Sequence, residues 1–230
     1  MKIIGGLLCR NEEHRWLTKY LQQMETLCDE LVVLDDKSTD KSADLCYMYG
    51  AKVHASPEFL FDSNESMLRN RLWNLCANSA KDRDWIVILD ADELLSDPIF
   101  LKSMLISSEN INYLGLHLYD MWSETHYRSD NLWNAHQRWW MMCARINKNH
   151  AYTFNENKLH CGRWPNEILK ECAIEMHVTP GTCIKHMGWS TAEDRQRKYE
   201  RYMKLDGEGK FGILEQYKSI LDPSPNLIKL

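Results

Sequence analysis

The run Asp84-Trp85-Ile86-Val87-Ile88-Leu89 is apolar on both faces and stops at Asp90-Ala91-Asp92-Glu93. A strand without a polar face must be covered on both sides, which is the condition of a central strand in a sheet wrapped by helices. The preceding residues agree. Residues 3–8 form an apolar run, and Trp16, Leu17, Tyr20, Leu21, Met24 and Leu27 recur at helical spacing over 12–27. Residues 30–34 read as a second strand ending in the polar turn 35–40, followed by a helix over 41–49 that Gly50 closes. A short strand at 52–55 and a helix from Ser63 or Asn64 to Ser79 repeat the pattern a third time. Such alternation predicts an α/β chain with crossover helices and mainly parallel strands.

From about residue 110 the rhythm changes. Residues 113–119 read as a strand and 120–140 as a long polar and aromatic loop. Further short strands at 141–146, 172–178 and 183–186 suggest a mixed-sheet extension of the same core. Ser190-Thr191-Ala192-Glu193 reads as a capping box that opens a basic helix over 192–205. Asp222-Pro223-Ser224-Pro225 then ends regular structure and leaves a loose tail.

Composition narrows the function. With 230 residues, 44% hydrophobic and 27% charged, the chain has enough apolar material for one large domain and too much for disorder. A net charge of -5 argues against binding nucleic acid by bulk charge. No run reaches about 18 apolar residues, so no bilayer span is expected. The eight cysteines contain no C-x-x-C pair and fit buried thiols in a reducing cytoplasm. His160, Cys161, Cys172, His177, Cys183 and His186 crowd one stretch without zinc-ligand spacing, so no zinc is assigned.

Asp90, Asp92 and Glu93 follow the carboxyl end of a buried strand, where open α/β sheets bind ligands. Two carboxylates one residue apart can direct oxygen ligands to Mg²⁺ or Mn²⁺, whose shell a nucleotide diphosphate completes. The competing reading is an acidic turn that caps the helix after Asp97. Asp35-Asp36 forms a second pair at an early strand end, with ordinary turn chemistry as its alternative.

These motifs together resemble the family-2 glycosyltransferases of GT-A fold, inverting enzymes that move a sugar from a nucleotide-sugar donor to an acceptor. The matching stretches are Cys9-Arg-Asn-Glu-Glu, Asp35-Asp-Lys-Ser-Thr-Asp-Lys-Ser, Arg69-Asn-Arg-Leu-Trp and Leu89-Asp-Ala-Asp-Glu, which span roughly the first 95 residues. Ile184-Lys-His-Met-Gly-Trp-Ser and the basic residues after it resemble the late His-containing strand and helix of soluble bacterial and phage members. The resemblance implies a Rossmann-like nucleotide-binding sheet with crossover helices and a mixed-sheet C-terminal extension. Residues 1–110 would be the donor half, 111–220 the acceptor-side half of the same domain and 221–230 a tail.

Carried over by position, the resemblance puts Arg10 and Glu12 near the nucleobase, Asp36 on base or ribose, and Arg69 on the donor. It puts Asp90, with Ala91 beside it, at ribose or metal-bound water and Asp92 on the Mn²⁺ or Mg²⁺ that bridges the diphosphate, with Glu93 orienting the turn. His186 is the late metal-ligand candidate, with an ordinary satisfied histidine as the alternative. Arg195, Lys198 and Arg201 would turn one helix face to the diphosphate, and Tyr199 and Tyr202 would pack or touch the sugar; a solvated basic face is the alternative. An inverting displacement also needs a base. Asp120, Glu124, Asp130, Glu156, His160 and Glu167 are available, and Glu156 and His160 lead because Asn155-Glu-Asn-Lys-Leu-His resembles a family turn, although a structural role is the stronger reading of each. Trp133, Trp139 and Trp140 could stack on a sugar, but core packing is the favoured reading.

The expectation is a metal-dependent inverting transferase in the cytoplasm of a bacterium or phage-infected host, with UDP as the expected nucleotide and a glycan, protein, lipid-linked or modified nucleic-acid acceptor. A nucleotide-sugar binding module without turnover and a transferase glycosylating modified DNA are the alternatives. A nucleotidyltransferase is disfavoured, because Gly5-Gly6 lies inside a strand-like run rather than in a phosphate loop.

Overall fold

The computed structural model describes residues 1–156 and 161–230. Its first half is β1 (Ile3–Cys9), α1 (Leu17–Leu27), β2 (Glu30–Asp35), α2 (Ser42–Met48), β3 (Lys52–Ala55), α3 (Glu65–Ser79) and β4 (Trp85–Ile88). β1 runs parallel to both β2 and β4, and β2 parallel to β3. All seven residues of β1 are buried because both faces are covered. Ile3 and Leu7 pack into one core with Leu17, Tyr20, Leu21 and Met24 of α1. Ile4 and Leu8 pack into a second with Leu68, Leu72 and Cys76 of α3. The period of two along the strand thus sorts its side chains between two helical layers.

The second half comprises β5 (Glu93–Leu95), α4 (Pro98–Ser107), β6 (Tyr113–Asp120), β7 (His126–Arg128), β8 (Trp139–Arg145), α5 (Asn166–Glu175), β9 (His177–His186), α6 (Ala192–Asp206), α7 (Leu214–Ser219) and β10 (Leu227–Lys229). The main sheet has the order β3-β2-β1-β4-β8-β6-β9-β5. β8 enters antiparallel between β4 and β6, and β9 is parallel to β6 and antiparallel to β5. One sheet therefore runs through both halves, and the mixed extension shares the core as expected.

Several boundaries differ from expectation. α1 starts at Leu17 rather than at 12, because the backbone N–H of Glu12 is tied to the Ser42 hydroxyl at 2.7 Å and residues 12–16 form a turn. Residues 172–175 belong to α5, and β9 begins only at His177. The N-cap of α6 is Thr191, whose hydroxyl accepts from the Asp194 N–H at 3.0 Å, so the box starts one residue later than Ser190. The stretch 120–140 contains β7 and the start of β8. The C-terminal residues are tied down, β10 pairing antiparallel with β7.

Candidate active site

The carboxyl ends of β1 and β4 and one face of α6 enclose a cleft of about 510 Å³. Of the residues expected at a site, Arg10, Glu12, Arg69, Asp90, Ala91, Asp92, His186, Lys198, Arg201 and Tyr202 all line it. Residues from positions 10 to 202 thus converge on the carboxyl ends of the strands, where ligands of α/β folds bind.

The turn after β4 is held from three directions. Glu93 accepts the Asp90 N–H at 2.9 Å and takes both ends of the Arg163 guanidinium at 2.6 and 2.7 Å. Arg163 also donates to the Ile88 carbonyl at 3.0 Å. Arg69 donates to Asp90 Oδ1 at 2.9 Å and is itself paired with Glu65. Burial works to raise the Asp90 pKa, but Arg69 and Arg163 outweigh it and lower the carboxyl to about 2. Asp90 therefore stays a carboxylate pinned by arginines.

Asp92, two residues on, meets His186 from the end of β9. Asp92 Oδ2 lies 3.7 Å from His186 Nε2, and His186 Nδ1 is bonded to Asp120 Oδ1 at 2.8 Å. Trp189 Nε1 donates to the same Asp120 oxygen at 3.1 Å. A histidine whose one nitrogen is fixed by a carboxylate presents the other at a set angle, the usual outer-shell arrangement of a metal-ligating imidazole. Burial and the Lys198 ammonium pull the His186 pKa down, while Asp92 and Asp120 raise it to about 9. Burial likewise opposes the charge on Asp92, yet Lys198, His186 and Arg15 hold it well below the usual carboxylate range.

Among the described residues no three His, Cys, Asp or Glu side chains form a ready-made metal site. The protein offers two donors, Asp92 Oδ2 and His186 Nε2, beside Gly188. A Cβ on Gly188 would collide with Asp92 Oδ2 and Lys198 Nζ and come within 2.9 Å of His186 Nε2. The glycine thus leaves room for Asp92, His186 and the Lys198 ammonium to converge on one point. Two protein ligands, with diphosphate oxygens completing the shell, suit Mg²⁺ or Mn²⁺, so the residues fit a divalent ion.

The walls are cationic and aromatic. The Arg10 guanidinium lies 3.8 Å over the Phe59 ring and donates to the carbonyls of Asp36 and Lys37 at 2.5 and 2.8 Å. Arg15 binds Glu12 and Asp194, and burial pushes Glu12 up to about 7 against the pull of Arg15. Arg201 sits over the Phe61 ring at 4.4 Å.

Other expectations land elsewhere. The Asp36 carboxylate is fully buried and accepts the backbone N–H groups of Leu60 and Phe61 at 2.9 to 3.3 Å, so it shapes the wall instead of lining the cleft. Arg195 departs from the Lys198 and Arg201 face and donates to the Trp122 and Trp189 carbonyls. Tyr199 packs on the Trp122, Trp133 and Trp189 cluster, where Trp133 is core as favoured. Asp120 stands behind His186; Asp130 holds Arg128, Glu167 caps Thr153, and Glu124 is an exposed partner of Lys19. Glu156 is exposed and lines no part of the cleft, and His160 lies outside the described residues. Sequence reasoning missed Arg15 and Arg163. Arg15 carries a signal, its i, i+3 spacing from Glu12, whereas Arg163 has none near it in the chain.

The fold and cleft together place the chain in the GT-A glycosyltransferase fold class. Staphylococcus aureus TarS residues 1–349, solved in complex with UDP, shares the fold with a TM-score of 0.54 at 16% identity, over 96% of this chain and 70% of that one. An uncharacterized glycosyltransferase of Rickettsia felis is 32% identical over 95 residues, 41% of this chain and 30% of its own. An uncharacterized protein of Mycobacterium tuberculosis is 24% identical over 217 residues, 86% of this chain and 49% of its own. The chain thus spans about half the length of the mycobacterial relative and under a third of the rickettsial one. No family model matches the chain.

Proposed function

We propose that this chain carries the donor site of a metal-dependent glycosyltransferase that moves a sugar from a nucleotide-diphosphate sugar to an acceptor with inversion at the anomeric carbon. The observation that carries the reading is the meeting of Asp92 with an Asp120-oriented His186 beside Gly188. UDP is the nucleotide we expect, on the ground that TarS, which has the same fold, binds it. Inversion rests on the family-2 resemblance of the motifs.

In this reading Asp92 and His186 would hold the ion, and the bond from Asp120 to His186 Nδ1 leaves Nε2 as the ligating nitrogen. When bound, the divalent ion offsets the charge of the diphosphate as the nucleotide leaves. Asp90, kept ionised by Arg69, accepts from ribose hydroxyls. Arg10 on Phe59 forms the nucleobase wall, and Arg201 and Tyr202 close the cleft from α6. The donor half would be residues 1–110 and the acceptor side 111–220. All eight cysteines are free thiols, which supports a reducing compartment such as the cytoplasm. No described helix is long and apolar enough to cross a membrane.

The test is calorimetric titration with UDP in the presence of Mn²⁺ and of a chelator, comparing the wild type with Asp92→Asn. We expect Mn²⁺-dependent binding in the wild type and a loss of at least tenfold in the variant, with far-UV circular dichroism checking that the variant is folded. Equal UDP affinity in the two proteins would overturn the assignment. Turnover of UDP-sugars would then separate a transferase from a binding module.

A further inference from the structure

The point between Asp92 and His186 already holds a positive charge. The Lys198 ammonium lies 3.1 Å from Asp92 Oδ2 and 3.3 Å from His186 Nε2. Its side chain is only 18% exposed and its ammonium sits 4.3 Å from the centre of the Trp189 ring. The seat is built: Thr191 caps the helix that carries Lys198, and Trp189 is fixed through Asp120. Lys198 also lines the cleft, as do Arg15, Arg69 and Arg201, and its four-carbon stem is flexible.

An ammonium and a divalent ion seated together against Asp92 Oδ2 would repel each other strongly, because at a few ångströms in a buried site like charges are weakly screened. We infer that Lys198 is a resident counter-cation of the Asp92 carboxylate that must leave for a divalent ion to enter, and that a nucleotide diphosphate draws it away. Lys198 then pairs with the diphosphate while the ion takes its place, so metal and nucleotide load as a coupled pair. The inference rests on the proposed donor site and adds a device to it: the Asp92 carboxylate stays paired and resists free metal until the donor's phosphates arrive. Linkage makes the coupling reciprocal, so Mn²⁺ and UDP each raise the other's affinity by one factor, of the order of 5–150-fold where such couplings have been measured.

The experiment is a Mn²⁺ titration of the full chain, with free Mn²⁺ read by electron paramagnetic resonance, without and with saturating UDP. Lys198→Met keeps the apolar stem on Trp189 and removes the charge; Lys198→Gln is the second variant, and far-UV circular dichroism checks both. Without nucleotide, both variants should bind Mn²⁺ at least tenfold more tightly than the wild type, and the factor by which UDP improves Mn²⁺ binding should shrink correspondingly. If wild type and variants bind Mn²⁺ alone equally and UDP still promotes metal binding in all of them, the counter-cation role is wrong while the donor site stands. If the wild type shows no UDP-dependent Mn²⁺ binding at all, the donor-site reading itself falls, and this inference with it.

Discussion

Arg163 shapes the site from far along the chain. Its guanidinium spans both oxygens of Glu93, whose side chain is 3% exposed, and thereby fixes the turn that presents Asp90 and Asp92. Removing one member of a buried ion pair leaves the other charged and unsolvated, which typically costs about 3–5 kcal/mol. Arg163→Met should therefore destabilise by about that much in urea unfolding, and the double variant Arg163→Met/Glu93→Gln should recover part of the loss. A cost under about 1 kcal/mol for the single variant would show that water compensates Glu93 and that the turn does not depend on the pair. The acidic side of this arrangement was legible in the sequence, because Asp90-Ala-Asp-Glu stands at the end of a strand with no polar face. The basic side was not. Arg163 reaches Glu93 across 70 residues, and nothing adjacent to it distinguishes a turn-fixing arginine from a surface one.

At the scale of elements, β1 shows why the first half of the chain could be read so far. Gly5 and Gly6 point to opposite faces, and each lets a helix approach where a methyl would not fit. A Cβ on Gly5 would lie 2.7 Å from Met24 Cε and 2.9 Å from Cys28 Sγ, and one on Gly6 would lie 2.8 Å from Cys76 Sγ. Overpacking of this kind costs about 1–3 kcal/mol, against about 0.4–1 kcal/mol that alanine returns by restricting the unfolded chain. Gly5→Ala and Gly6→Ala should each lower the urea midpoint; a rise for either would mean that the helices can shift to make room. One expectation that failed at this scale has a different cause. Cys172-Ala-Ile-Glu-Met-His-Val has the apolar richness of a strand, but Ile168 and Cys172 are an i, i+4 pair buried against the core, and Pro165 stands just before the first turn of α5. The helix period was present, and a short apolar run hid it.

Across the whole molecule, the cleft depends on a wall built from the end of the chain. α6 brings Lys198, Arg201 and Tyr202 over the carboxyl ends of the sheet, and α7 supports it by stacking Tyr217 on Tyr202 with ring centroids 4.8 Å apart. The joint between these helices is Asp206. Its carboxylate accepts the N–H groups of Lys210, Phe211 and Gly212 at 2.6 to 3.0 Å and the Tyr217 hydroxyl at 3.0 Å. Burial opposes the charge, but the Phe211 and Gly212 amides, Tyr217 and the Lys210 amide together lower the Asp206 pKa. A carboxyl lowered in the folded state favours folding at any pH above its unfolded value, about 3.9, and that contribution fades as pH falls through the folded value. Asp206→Asn keeps one acceptor oxygen and loses the charge. Its urea midpoint should fall below that of the wild type at pH 7, and the gap should narrow steadily from about pH 4 downward, where the native carboxyl also becomes neutral. Because the joint holds Tyr202 in the cleft wall, UDP affinity at pH 7 should drop in the same variant. A midpoint gap that stays constant from pH 7 to pH 3 would mean that shape rather than charge makes the joint, and unchanged UDP affinity would separate the C-terminal wall from the donor site.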